Sequence, residues 1–261
     1  MNYKLTDSDG SLAQKMSTQE GKLIIIDLQN KIEEEEIQLD LFKQNINHCN
    51  SEIAKVEPVL REAVATLQKL RKYKPQTQDI KDKTNEVKGI INEYKPKKLA
   101  FEENVLVWNI SGYITLISID VKTMQKGLYS ATSEWDRRFF ARQSYLIMYD
   151  APNQIKQQLK KLIERDGYKS FLAELKEAQK DLEKFVVEYG KYIDTVRNNT
   201  VGHKDEKVIK QLEIIENIEW STTIDTTNQF ETLINGLGSL LQKMIDAGIK
   251  NLDTAFNNVQ H

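Results

Sequence analysis

Apolar residues recur along this chain at alternating intervals of three and four. From residue 25 the series reads Ile25, Leu28, Ile32, Glu35, Leu39, Phe42, Ile46, Cys49, Ile53, Val56, Leu60, Ala63, Leu67 and Leu70. Only Glu35 interrupts it with a charge. Such spacing draws one stripe down a helix, and a stripe this regular needs a partner helix to cover it. Pro58 lacks a backbone donor and crowds the preceding turn, so the helix is expected to bend or restart near Val56 with its register kept. Ile80, Thr84, Val87, Ile91 and Tyr94 repeat the spacing between Pro75 and Pro96, which predicts a second helix over 77–95 folding back on the first.

Further on, Leu106, Ile110, Ile114 and Ile117 fit a buried helix, although the β-branched content of Tyr113 to Val121 would also suit a strand. No other segment supplies a sheet, so helix is the expectation. Ser133 and Asp136 form a capping box. The helix behind it is expected to carry Trp135, Phe139, Phe140, Tyr145 and Leu146 inward and to stop near Pro152, with a short helix at 152–165. A second long stripe follows: Tyr168, Leu172, Leu175, Gln179, Leu182, Val186, Tyr189, Ile193 and Val196. A helix over 205–218 and a last one from Thr226 to about Asn257 complete the chain. The expected fold is therefore all-α and elongated. A flexible tail (1–18) precedes a coiled-coil-like helical hairpin (19–96) and a helical bundle (97–261), with the boundary at Lys95-Pro96-Lys97-Lys98.

Composition narrows the functional classes. In 261 residues, 29% are charged and only four are Pro, which favours helices over turn-rich β structure. The formal charge of −2 excludes a polycation, so any nucleic-acid contact has to come from a local patch. The single cysteine, Cys49, excludes an intramolecular disulfide and a multi-Cys zinc site, and its place on the apolar seam reads as a small buried hydrophobe. No cofactor or metal is implied. The most apolar stretch, Val105 to Ile119, is interrupted by Asn109, Ser111, Gly112, Thr115 and Ser118, so no stable membrane span is expected. With no export signal in view, the cytoplasm is the expected location.

The stretch most suggestive of chemistry is Arg197-Asn198-Asn199-Thr200-Val201-Gly202-His203-Lys204-Asp205, at the end of the second long stripe. On an unbroken helix, residues six apart lie about 120° apart around the axis. Arg197 and His203 therefore converge only if the winding stops between them, where Gly202 is suited to end a helix. The arrangement resembles the Arg-polar-x4-His signature of the HEPN superfamily, over roughly residues 101–257. That resemblance implies a HEPN-like bundle and a metal-independent endoribonuclease of toxin or phage-defence type, acting as a dimer on RNA. His203 would move protons, Arg197 would hold the scissile phosphate, and Asn198 would orient one of them.

Plainer readings of the same residues stay open. His203 continues the apolar spacing and could be a packed histidine, while Arg197 could neutralise Asp194 or Asp205. Arg138, Arg142 and Lys204 could contact RNA, yet solvated helix faces look alike. Two other functions compete with the ribonuclease. One is a non-catalytic interaction or scaffold protein, with the 25–70 heptads joining a homodimer or a helical partner. The other is an α-helical pore-forming toxin that hides Val105–Ile119 until membrane contact.

Overall fold

The computed structural model describes residues 19–72, 77–202 and 208–257. Both arms predicted from the heptads are helices, and the second is longer than expected. α1 spans Gln19–Leu70 and α2 spans Gln78–Ser130. Every position of the predicted α1 stripe is buried or half-buried, and so are Ile80, Thr84, Val87, Ile91 and Tyr94 of α2. The arms run antiparallel: Lys126 donates to Gln29, Phe42 meets Trp108 at 5.3 Å between ring centres, and Lys98 lies 3.7 Å from Glu57. At 1.5 Å per residue, each arm is about 78 Å long.

Two expectations change here. The second arm does not end at Pro96 but continues unbroken to Ser130, so the basic stretch 95–98 lies inside one helix. The heptad seam is also closed within the chain by α2, which removes the reason for covering it with a second copy or a partner. Among the described residues of 51–96, only Val56, Ala63 and Val87 are buried, whereas α1 near Phe42 and Ile46 packs onto the main core.

The rest of the bundle follows in order. α3 spans Glu134–Ile163, a 3-10 segment covers Asp166–Phe171, and α4 spans Leu172–Arg197. A π-helical turn covers Asn198–Gly202, α5 spans Val208–Glu216, and α6 spans Trp220–Asn257. There is no strand among the described residues, and the ambiguous 113–121 stretch is helix. Pro152 does not stop α3, which passes through it, as α1 passes through Pro58. A helix-interior proline costs about 3 kcal/mol. That cost is outweighed because the flanking turns bury their apolar stripes on both sides of the break. The Ser133 cap is present: its hydroxyl accepts from the Asp136 amide at 3.1 Å. Trp135 and Phe139 do not point inward. They are 55% and 46% exposed, and Phe140 and Tyr145 supply the core contacts instead.

One core joins the second half of α2 to α3, α4 and α6. It includes Ile110, Tyr145, Ile155, Leu159, Leu175, Phe230 and Leu241, each at most 1% exposed. Burial of each such side chain stabilises by about 1.5–3 kcal/mol. The Asp166–Phe171 segment is tied to α2, since the Tyr168 hydroxyl donates to the Glu103 carbonyl at 2.7 Å and the Gly167 amide donates to the Glu103 carboxylate at 3.2 Å. α2 is long and apolar enough to cross a membrane by length and composition, and half of that apolar stretch is buried among its neighbours.

Glu35, the charge on the seam, meets a charge. The Lys122 ammonium, its side chain 3% exposed, donates to Glu35 at 2.8 Å and also reaches the Ser118 hydroxyl. Glu231 of α6 lies 3.8 Å from the same ammonium and accepts from Gln125 at 3.2 Å. Three helices thus converge on one buried lysine. Near the far end of α2, a β-carbon on Gly127 would run into the Phe140 ring. Gly127→Val is therefore expected to lower stability by about 1–3 kcal/mol through overpacking. Urea unfolding would show a lower midpoint at unchanged slope; an unchanged midpoint would mean that Phe140 swings clear.

Candidate functional site

α4 carries the motif, and the side chains at its end explain why the winding changes there. Asn199 donates to the Thr195 carbonyl at 2.7 Å, and Thr200 donates to the Val196 carbonyl at 2.6 Å. These bonds compete for carbonyls that backbone amides would otherwise take. The last turn accordingly widens into the π-helical Asn198–Gly202 segment. The winding does not stop before Gly202 but widens from Asn198 and runs on to Gly202, and the expected stop that would turn His203 toward Arg197 falls at the edge of the described residues. His203 and Lys204 lie outside the described residues, so only Arg197 and Asn198 of the motif have a described geometry.

Arg197 is half-buried. Its guanidinium carbon sits 4.4 Å from the centre of the Tyr149 ring on α3, within range of a strong cation–π contact. Its Nη1 donates to the Asn198 side-chain oxygen at 2.8 Å, and its Nε is buried with no hydrogen-bond partner among the described residues. Asn198 donates in turn to the Asp194 carboxylate at 2.6 Å. The chain of contacts runs Tyr149, Arg197, Asn198, Asp194, joining two helices across the bundle. Of the carboxylates weighed for Arg197, Asp194 is engaged by Asn198 rather than by the guanidinium.

A groove of about 320 Å³ lies beside this chain of contacts, lined by Tyr149, Asn153, Lys191 and Asp194 among others. Arg197 does not line it. Arg138 and Arg142, the other basic candidates, are half-buried. Arg138 lies 3.8 Å from Glu134 and 5.9 Å from the centre of the Trp135 ring, and Arg142 Nε donates to the Arg138 carbonyl at 3.2 Å. Burial lowers the Arg142 pKa from its ordinary value. By helical periodicity both share the Tyr149 face of α3, Arg138 roughly 16 Å and Arg142 roughly 10 Å along the axis. Among the described residues, no group of three or more His, Cys, Asp or Glu is placed to hold a metal ion. Cys49 is free and buried, and desolvation raises its pKa.

Tyr149 is the participant that the sequence left unmarked. Forty-eight residues separate it from Arg197, and nothing local to either signals the stacking. Its one hint is that it follows the core Tyr145 by a single helical turn. Comparison of the chain with protein-family models, with curated proteins and with solved structures gives no match.

Proposed function

We propose that this chain is a non-catalytic helical interaction protein in which the Arg197–Asn198 motif braces the bundle. The observation that supports this reading is the engaged guanidinium, stacked on Tyr149 and bonded to Asn198. A phosphate-binding arginine needs its planar edge open to the ligand. Here part of that edge already serves the fold. The long hairpin and the bundle supply extended surfaces of the kind that interaction proteins use.

A second reading, the metal-independent ribonuclease of toxin or phage-defence type, is favoured by a different feature. π-helical turns occur often at functional sites, and Arg138, Arg142 and Tyr149 share one face of α3. In that case Arg197 would have to leave Tyr149 to meet RNA, with His203 as the proton carrier. The two readings separate in one assay. The purified chain is incubated with a mixed single-stranded RNA in chelator, beside His203→Ala. Bracing predicts no cleavage by either protein above the buffer blank. Cleavage that disappears in the variant would overturn bracing in favour of catalysis.

A further inference from the structure

A second groove, remote from the motif, runs between α4 and α6. It encloses about 580 Å³ and extends along α4 from Glu174 to Tyr189 and along α6 from Gln229 to Lys243. These sixteen and fifteen residues of helix span about 21–23 Å, so the groove is as long as four helical turns. Its floor is apolar and helically spaced, with Ala178, Phe185 and Tyr189 on one side and Leu233, Leu237 and Leu240 on the other. Two adjacent helices offering such stripes form two sides of a three-helix arrangement whose third place is open. Gly236 keeps it open, since a β-carbon there would meet nothing within 4 Å.

The rim selects the occupant. Glu174, Glu177, Asp181 and Glu188 line the groove against Lys184 and Lys243. Lys243 pairs with Glu174 at 3.2 Å, Lys184 with Asp181 at 2.7 Å and with Glu177 at 3.8 Å, and Lys180 with Glu177 at 3.2 Å, but all of these side chains are exposed and such pairs exchange readily. A second copy of this chain would bring the same acidic rim against itself. The exposed stripe of α1 (Leu23, Ile26, Ile37, Leu41) is bordered by Glu33, Glu34 and Glu36 and carries the wrong sign for this groove.

We infer that the α4–α6 groove is a docking site for a basic amphipathic helix of about four turns from a partner protein. The helix lays its apolar face on the half-buried Ala178, Tyr189 and Leu233, above the core residues Phe185 and Leu237, and sets its lysines or arginines against the acidic rim. This site is independent of whether Arg197 braces or binds RNA.

The probe is a fluorescent 14-residue peptide of leucine and lysine with leucines at i, i+3, i+4 and i+7, compared with a leucine–glutamate twin. The full chain is expected to bind the basic peptide saturably, more weakly as salt rises, and the acidic twin at least tenfold less. Gly236→Leu fills the groove and should weaken binding at least tenfold. It should also raise the melting temperature, because an exposed helix-interior glycine has been replaced. Gly238→Leu, which faces a different groove and also has open space around its added β-carbon, should keep full binding. Glu177→Lys with Asp181→Lys should weaken it about tenfold. No saturable binding, equal binding by Gly236→Leu, or equal binding of the acidic twin would overturn the proposal. Sedimentation showing a dimer that Gly236→Leu dissolves would also overturn it, by making a second copy the occupant.

Discussion

Lys122→Ala is expected to destabilise the chain by about 3–5 kcal/mol, the usual loss when one member of a buried ion pair is removed and the other is left behind. The ammonium is the only cation that contacts both Glu35 and Glu231 in the described structure, and the two carboxylates keep 18% side-chain exposure each. Without it, Glu35 keeps only Ser118 as a donor among the described residues, where its second oxygen is already buried with no partner. The three helices that meet at this point would lose their shared anchor. At about 2–4 °C per kcal/mol for a chain of this size, the melting temperature should fall by roughly 10 °C. The companion Glu35→Met with Lys122→Met should recover most of the loss, because a buried pair replaced by packed apolar side chains is often neutral or better. A single variant that melts like the parent would show that solvent already screens this site.

Arg197→Ala carries the second largest expected effect, about 2–3 kcal/mol. It removes a half-desolvated cation–π contact of roughly 1–2 kcal/mol and a hydrogen bond to Asn198 of about 1 kcal/mol. Arg197→Lys should recover only part of this, since an ammonium cannot lie flat on Tyr149 and reach Asn198 at once. Thermal melts followed by far-ultraviolet circular dichroism should place the alanine variant several degrees below the parent and the lysine variant between them. A catalytic arginine with no bracing role would leave both melts unchanged while abolishing RNA cleavage.

The hairpin could be read from the chain because its signal is periodic and local: a repeated spacing of three and four has one helical solution. The proline breaks were misjudged for the complementary reason. Pro96 and Pro152 are strong local signals, and what overrides them is packing against helices distant in sequence; at Pro58 the helix runs on with its stripe in register, one of the two arrangements expected there. Trp135 and Phe139 misled in the same way, since helical spacing says that they share a face but not which face is covered. Glu35 was visible as an exception to the heptads, but its meaning lies 87 residues away in Lys122. At the motif, Gly202 signalled a stop of the winding, whereas the widening from Asn198 and the contact with Tyr149, which decides what Arg197 touches, had no signal of their own. Cys49 was placed correctly because a small residue on a covered seam has little else to do.

Bracing by Arg197 is tested most directly by a double-mutant cycle in urea with Arg197→Ala, Tyr149→Ala and the pair. Bracing predicts a coupling of about 1–2 kcal/mol between the two side chains, so that the double variant is less destabilised than the two single losses added together. Losses that add within about 0.3 kcal/mol would contradict it, leaving the guanidinium energetically free of Tyr149 and available for RNA.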